Sequence, residues 1–225
     1  MKAMILAAGR GTRMAPLTDN CPKPLIPLAG KPLIVHHIEK LVAAGINDLV
    51  INHAWLGHML EERLGDGSQF GARIRYSPEI EGGLETGGGI FQALPLLGSE
   101  PFLVVNGDVW TNWNYQQATT QKLGANLAWL YLVNNPDHHP EGDFALKEQQ
   151  VCLKSPQAQP QDCYTFSGIS VLHPKLFATS QAGRYPLAPM LRAMMPQGLV
   201  GGSLLNARWV DVGTPERLQQ LEQTL

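Results

Sequence analysis

The chain is poor in cysteine and in long apolar runs. Its three cysteines, Cys21, Cys152 and Cys163, are odd in number and lack the C-x-x-C spacing of a zinc or redox site. They support neither a disulfide framework nor a metal cluster, and they favour a reducing compartment. No segment approaches the roughly 20 apolar residues of a membrane-spanning helix, and the short apolar run at 3–7 cannot form the core of a signal peptide. We therefore expect a cytoplasmic protein.

The chain also lacks a strong net charge. Its formal charge is -2, which argues against nucleic acid or an anionic membrane as the main partner, since both attract basic surfaces. Residues 1–31 are an exception, because their only acid is Asp19 while several lysines and arginines accompany it. This basic segment fits either an anionic small ligand or a solvated surface, and charge alone leaves both interpretations open.

The apolar pattern predicts an α/β fold, a Rossmann-like, doubly wound mixed sheet in a single domain. In the first half, strands are expected at 3–8, 49–52, 73–76 and 102–106, and helices at 32–44, 56–64 and 86–94, the last capped by Thr86. The second half is expected to add shorter, partly antiparallel strands at 125–133, 144–147, 151–154, 166–172, 199–206 and 209–212, and helices at 114–123, 187–195 and 214–225, the last capped by Thr214. Such alternation places ligands at the carboxyl ends of the strands. No internal repeat or linker interrupts residues 1–225, and no hexapeptide repeat predicts a C-terminal β-helix.

The most informative segment follows the first predicted strand and reads L-A-A-G-R-G-T-R-M, with P-K-P-L shortly after it. Glycines directly after a buried strand let backbone N–H groups approach phosphate oxygens, while Arg13 and Lys23 supply positive charge. The segment is not a P-loop, because G-x-x-x-x-G-K-[ST] is absent, and Met14 stands where a dinucleotide fingerprint needs its third glycine. Prolines at 16, 22, 24 and 27 predict a long, stiff loop rather than a helix.

Residues 6–33 resemble the signature of the sugar-phosphate nucleotidyltransferases. The resemblance implies a nucleoside triphosphate and a sugar 1-phosphate as substrates, with a nucleotide-binding half at 1–111 and a sugar-binding half at 112–225. It implies base contacts near Ala7, Ala8 and Gly9, and phosphate contacts at Gly11, Thr12, Arg13 and Lys23.

Two aspartates at predicted strand ends are the candidate metal ligands. Mg²⁺ takes oxygen ligands and usually only one or two protein carboxylates. Asp108 lies in N-G-D, Asp211 lies in W-V-D-V-G, and both match the family's metal pair. We expect them to converge on one Mg²⁺ beside the triphosphate. Asn106 matches a position that often contacts nucleotide or sugar, and the alternative interpretation is an Asx-turn.

The implied chemistry needs no protein nucleophile. An oxygen of the sugar phosphate attacks the α-phosphorus in line, and pyrophosphate leaves. The expected catalytic set is Arg13, Lys23, Asp108 and Asp211, which would position two polyanions and neutralise the redistributed charge.

The base and the sugar are less firmly indicated. Glu79 and the glycine run containing Gly87 resemble the family's base-reading segment, but a carboxylate at Glu79 suits uracil and guanine equally. Segments 138–144, 165–169, 185–192 and 209–218 resemble a branch of the family that joins UTP to N-acetylmuramic acid 1-phosphate in peptidoglycan recycling. The resemblance implies sugar-side contacts at Asn106, Asp143, Lys154 and Ser167. Leu153 and Ser167 depart from the family pattern, in which glutamate and often asparagine stand at these positions.

Several alternatives stay open. The lactyl carboxylate of such a sugar needs a cation or donors, for which His138, His139, Arg192 and Arg208 are the candidates. A zinc site at the paired histidines is disfavoured, since neighbours on a strand point to opposite faces. A mannose 1-phosphate transferase that uses GTP is the nearest rival. A non-catalytic subunit that senses a nucleotide sugar and a dinucleotide-binding oxidoreductase are further alternatives, disfavoured by the complete catalytic set and by the missing third glycine.

Overall fold

A nine-stranded mixed sheet forms the centre of the molecule. The computed structural model describes residues 1–80, 82–155 and 160–225. The strands within these residues are β1 (Ala3–Leu6), β2 (Pro27–Leu28), β3 (Lys31–Pro32), β4 (Asp48–His53), β5 (Arg73–Pro78), β6 (Phe102–Asn106), β7 (Val109–Thr111), β8 (Ala128–Val133), β9 (Phe144–Lys147), β10 (Gln150–Cys152), β11 (Cys163–Leu172), β12 (Val200–Leu204) and β13 (Trp209–Asp211). The α-helices are α1 (Leu33–Ala43), α2 (Gly57–Leu64), α3 (Glu85–Leu97), α4 (Gln116–Thr119), α5 (Leu187–Met194) and α6 (Pro215–Glu222).

The strand order is β5-β4-β1-β6-β11-β8-β12-β10-β9. The first four of these strands are parallel, as expected where each strand is followed by a helix, whereas β11 runs antiparallel to both β6 and β8. The sheet is therefore mixed, and the predicted fold class is confirmed. It is also continuous from β6 to β11, so both halves of the chain share it; the division at 111/112 stays a prediction.

Helices cover both faces of the sheet. One apolar cluster packs α1 and α2 on one face through residues such as Ile38 and Leu60, and another packs α3 and α5 on the other through Ile90 and Leu191. This two-sided burial explains why the central strands read as continuous apolar runs.

A third apolar cluster holds the proline-rich loop. Met14, Ile26 and Leu28 are buried against Val212 and Leu218, so the loop packs on the β7–β13 ribbon and on α6. As the prolines predict, the loop contains no α-helix, only short 3-10 turns at Thr12–Met14 and Lys23–Leu25. The loop is thereby fixed beside the segment that carries Asp211.

Some predicted boundaries were wrong. The helix expected at 114–123 is reduced to α4, and α3 begins at Glu85 without a side-chain cap, so Thr86 lies inside the helix. Thr214 does cap α6, because its side chain accepts a hydrogen bond from the Arg217 N–H. Among the described residues there is no β-helix, and no helix is long and apolar enough to cross a membrane.

Candidate active site

The glycine turn after β1 is held in a conformation that requires glycine. Gly11 has φ +68°, and a Cβ there would lie 3.0 Å from the Thr18 Cγ2 and 3.1 Å from the Lys23 Cβ. The Thr18 hydroxyl donates to the Gly11 carbonyl at 2.9 Å, and the Arg10 guanidinium donates to the Thr18 carbonyl at 2.7 Å. The turn is therefore fixed by its own side chains.

This turn opens into a cleft of about 1020 Å³ at the carboxyl ends of β1, β4, β5 and β6. The structure brings most of the predicted nucleotide contacts to its wall. These are Ala7, Ala8, Gly9, Gly11, Thr12, Arg13, Lys23, Glu79 and Asn106. Arg13 has no ion-pair partner among the described residues, so its planar donor fork is available to an anion.

Glu79 organises one end of this cleft. Its Oε1 accepts from the Asn52 amide at 2.6 Å, and its Oε2 accepts from the Leu84 N–H at 2.6 Å. Asn52 is buried, and its Oδ1 accepts from the Ala7 N–H at 2.9 Å. Asn52 thus joins the glycine turn to the segment that precedes α3. A carboxylate has about four lone-pair sites, so Glu79 keeps capacity for a ligand donor.

Gly87 does not line the cleft. It lies within α3, where a Cβ would come 2.6 Å from the Tyr185 ring. In the structure this glycine packs against Tyr185, and its contact with the nucleotide stays a prediction. Gly82, Gly83, Glu85 and Thr86 form the wall in its place.

The two predicted metal ligands come together. Asp211 pairs with Val109 in the β7–β13 ribbon, and the Val212 N–H donates to the Asp108 carbonyl at 2.7 Å. Both aspartates line a smaller cavity of about 360 Å³ that also includes Arg13. Asp108 lines the large cleft as well, so it lies on the wall that the two cavities share.

Each aspartate already has a cationic partner. The Lys23 ammonium lies 2.9 Å from Asp108, with only a tenth of the lysine side chain exposed. Arg217 donates to both carboxylate oxygens of Asp211 at 2.8 and 2.6 Å, and His138 lies 3.0 Å from the same carboxylate. Charge-assisted pairs of this kind fix the orientation of the carboxylates.

The donor set fits a hard divalent cation. The described residues contain no group of three or more His, Cys, Asp or Glu side chains that could enclose a metal ion. Two adjacent carboxylates are what Mg²⁺ commonly takes from a protein, with phosphate oxygens and water completing its octahedron. Asp108 and Asp211 are therefore suitable ligands for such an ion when a triphosphate is present.

Polar side chains on the wall of the smaller cavity form hydrogen bonds with the protein around them. The Ser167 hydroxyl donates to the Tyr131 carbonyl at 2.7 Å and accepts from the Ile169 N–H at 3.1 Å. Gly168, with φ +77°, lies so close to Asn106 that a Cβ would come 2.7 Å from its Nδ2. Asn106 lines both cavities. Ser167 lines only the smaller one, and its buried hydroxyl already has hydrogen-bond partners within the protein.

Two predicted sugar contacts lie outside both cavities. Asp143 accepts from the Phe166 N–H at 2.8 Å and lies 3.1 Å from His139. Lys154 donates to the Gly142 carbonyl at 2.8 Å. Asp143 braces the wall of the smaller cavity through Phe166 and His139, and the sugar contacts of Asp143 and Lys154 stay predictions.

Of the four candidate groups for the lactyl carboxylate, two line the smaller cavity and two do not. His138 and His139 line the smaller cavity from the loop between β8 and β9, and their side chains diverge toward Asp211 and Asp143. Arg192 lies over the Phe144 ring, Arg208 binds Thr224, and neither lines either of the two cavities.

A buried histidine supports the shared wall. The His37 Nε2 donates to the Val109 carbonyl at 2.7 Å, and its Nδ1 accepts from the Tyr115 hydroxyl at 2.9 Å. Burial lowers the pKa of His37 from its ordinary 6.5 to about 4, so the ring is neutral at pH 7. It holds β7 directly after Asp108.

The sequence interpretation missed Asn52 and Arg217. Asn52 is a polar residue near the carboxyl end of an apolar strand, as Asn106 is, and that position is a signal by which the sequence could have singled it out. Arg217 lies in the first turn of α6 and returns to Asp211 across the Thr214 cap. A basic residue shortly after a candidate metal ligand could have been singled out on that ground.

A glycine turn directly after a buried strand, a cleft at the parallel strand ends and paired aspartates define an α/β enzyme that handles phosphorylated nucleotides. The chain belongs to the nucleotidyl transferase family, which matches residues 2–225. It is 51% identical to N-acetylmuramate alpha-1-phosphate uridylyltransferase of Neisseria meningitidis, over 99% of this chain and 97% of that protein. It is 33% identical to the enzyme of the same name from Caulobacter vibrioides, over 95% and 92% of the two chains.

A solved structure shares the fold. A putative glucose-1-phosphate thymidylyltransferase from Bacillus anthracis, crystallised with a sucrose, superposes with a TM-score of 0.87 at 22% identity and covers 100% of this chain and 94% of that one. The family resemblance and the enzyme class predicted from the sequence are therefore confirmed. The family joins a nucleoside triphosphate to a sugar phosphate with the help of a divalent metal ion.

Proposed function

We propose that this chain transfers UMP from UTP to N-acetylmuramic acid 1-phosphate, giving UDP-N-acetylmuramic acid and pyrophosphate with Mg²⁺. The observation that carries the proposal is 51% identity, over nearly the full length of both chains, to a protein named for that activity. The reaction would belong to peptidoglycan recycling. The three free cysteines agree with a cytoplasmic site for it.

The chain's own residues would act by position and charge. The triphosphate would lie along the glycine turn, with backbone N–H groups and the Arg13 fork on its phosphates. A phosphate oxygen of the sugar 1-phosphate then attacks the α-phosphorus as the bond to the pyrophosphate oxygen breaks, and no protein group is covalently modified. Lys23, beside Asp108, would stabilise the negative charge that moves onto the leaving pyrophosphate.

Asp108 and Asp211 would hold the metal ion, which supplies a Lewis acid for the phosphate oxygens. Arg217 would act as a positioning residue, because it fixes both oxygens of Asp211. Asn106 would contact the bound substrates from the wall between the two cavities. Asp143, Lys154 and Ser167 would support the sugar side through the contacts they already make.

The test is a pyrophosphate-release assay across UTP, GTP, CTP and ATP, each with a panel of sugar 1-phosphates that includes N-acetylmuramic acid 1-phosphate. The expected result is a clear preference for UTP with the muramoyl sugar. A preference for GTP with mannose 1-phosphate would overturn the substrate proposal and leave the mechanism standing. Omission of divalent metal should abolish turnover, and Mg²⁺ should restore it.

A further inference from the structure

The three glycines at the start of α3 each face a different neighbour. A Cβ at Gly87 would lie 2.6 Å from the Tyr185 ring, and one at Gly88 would lie 2.1 Å from the Gly183 carbonyl oxygen. A Cβ at Gly89 would lie 2.3 Å from the Glu79 carboxylate. Side chains cannot be accommodated at such distances. The glycine run therefore forms a surface against which residues 183–186 and Glu79 pack closely.

Backbone hydrogen bonds also hold residues 183–186 against the start of α3. The Tyr185 N–H donates to the Leu84 carbonyl at 3.2 Å, and the Gly88 N–H donates to the Tyr185 carbonyl at 3.0 Å. Segment 183–186 comes from the second half of the chain. It is nevertheless held beside Leu84, which follows the cleft-lining residues Gly82 and Gly83.

The segment brings Arg184 to the wall of the cleft. Of the described residues that line the large cleft, only Arg184 and Gly213 come from beyond residue 111. The Arg184 Nε lies 3.4 Å from the Glu85 carboxylate, and about 63% of the arginine side chain is exposed toward solvent. A partly exposed guanidinium beside a carboxylate keeps several N–H donors free.

Glu85 is itself held in an unusual backbone conformation. Its φ of +58° lies in the left-handed region, which residues other than glycine seldom adopt. Such strain tends to occur at ligand clamps, where the surrounding structure maintains it. The Glu85 side chain also lies on the cleft wall. Its carboxylate oxygens can accept hydrogen bonds beside the Arg184 guanidinium, which can donate them.

This pair lines the same cleft as Ala7, Ala8 and Gly9, the residues expected near the base. A Cβ at Gly83 would lie 3.8 Å from the Ala8 carbonyl, so the segment that leads into Glu85 stands next to the backbone of the glycine turn. Uracil offers two carbonyl acceptors and one N–H donor at its edge, which the guanidinium and carboxylate can match. We propose that Arg184, held by Glu85 and segment 183–186, contacts the base of the bound triphosphate and contributes to base selection. This proposal rests on the proposed function.

The test compares Arg184→Ala with Arg73→Ala. Arg73 is also exposed and paired with a carboxylate, that of Asp48, but it lies outside the cleft. Affinities for UTP and for inorganic tripolyphosphate are measured by titration calorimetry with Mg²⁺ present. We expect Arg184→Ala to weaken UTP about tenfold, as for loss of one hydrogen bond from a charged donor, and to leave tripolyphosphate unchanged. Arg73→Ala should change neither affinity.

An unchanged affinity for UTP in Arg184→Ala would overturn the proposal. An equal loss for tripolyphosphate would also overturn it, since Arg184 would then act on the phosphates. A second variant, Gly88→Ala, should displace residues 183–186 and reproduce the loss, with no further loss when both changes are combined. If the wild-type protein prefers another triphosphate, that result overturns the proposed function without involving Arg184. The role of Arg184 is then tested by the same comparison of variants with the preferred triphosphate in place of UTP.

Discussion

The large cleft and the smaller cavity beside it are built in different ways. The large cleft contains one contiguous glycine turn, whose backbone groups and Arg13 face an open volume. The smaller cavity is assembled from distant segments, and its polar side chains, such as Ser167 and His138, already bond to their neighbours. We infer that the nucleotide end is prepared for its ligand, whereas recognition at the sugar end depends on how its side chains hold one another.

The largest expected loss of turnover comes from a substitution at Asp108, on the wall that the two cavities share. Asp108→Ala removes the carboxylate that lines both cavities and leaves the buried Lys23 without its partner. Loss of one electrostatic stabiliser costs roughly 3–4 kcal/mol, so kcat should fall by about two to three orders of magnitude. Pyrophosphate release measures turnover, and Mn²⁺ binding followed by electron paramagnetic resonance measures the metal site. Lys23→Ala should cost a similar amount, because the lysine faces the same phosphates.

Turnover within tenfold of wild type in either variant would contradict the assigned roles. Asp19→Ala is a suitable control, since Asp19 is also an aspartate paired with a cation, Arg10, but does not line either cavity. It should leave both turnover and Mn²⁺ binding close to wild type.

The same contrast explains which parts of the site the sequence could predict. The glycine turn and the N-G-D segment were recognised because each is local and follows a buried strand. Gly87, Asp143 and Lys154 were assigned direct contacts but lie outside both cavities, because their surroundings are set by residues far away in the chain, such as Tyr185 and Phe166. Periodicity predicted the sheet well, but it gave no sign that α4 would be a single turn.

A second prediction concerns the support of the shared wall. In the folded protein the pKa of His37 is about 4, because burial disfavours the charged ring, whereas the unfolded chain has the ordinary 6.5. As pH falls, the unfolded chain is protonated first, so the stabilisation is complete above about pH 6.5 and is lost toward pH 4. The loss is about 3 kcal/mol.

Urea unfolding at a series of pH values measures this effect. His37→Gln should be less stable than wild type at pH 7, and it should lose less stability between pH 6.5 and pH 4. Equal slopes in the two proteins over that window would show that His37 does not provide the linkage. His173→Gln serves as a control, because His173 lies at the N-terminus of a surface 3-10 turn.

The nucleotide end can be tested through Asn52. Asn52→Ala removes the side chain that bonds the Ala7 N–H and the Glu79 Oε1, while the Glu79 Oε2 keeps its bond to the Leu84 N–H. Burying such groups unsatisfied costs about 1–3 kcal/mol, which for a chain of this size lowers Tm by about 2–4 °C per kcal/mol. We also expect a higher KM for UTP and an unchanged KM for the sugar phosphate. Calorimetry and initial rates measure the two effects.

Asn112→Ala offers a matched control, because the Asn112 Oδ1 also accepts a backbone N–H, that of Arg208, but at an exposed position outside both cavities. It should leave the KM for UTP unchanged. If Asn52→Ala raised the KM values of both substrates equally, the proposed separation between the two ends of the site would fail.

The smallest effect is expected at Ser167, on the sugar side. Its hydroxyl is fully buried and bonds to Tyr131 and Ile169, so Ser167→Ala should cost about 1 kcal/mol of stability. If the hydroxyl serves the cavity wall alone, the KM for the sugar phosphate stays within about twofold of wild type, as does kcat. A rise in that KM of about tenfold or more, with stability unchanged, would mean that the hydroxyl leaves its internal partners to bind the sugar. The smaller cavity would then resemble the large cleft in presenting free polar groups to its ligand, and the contrast between them would be lost.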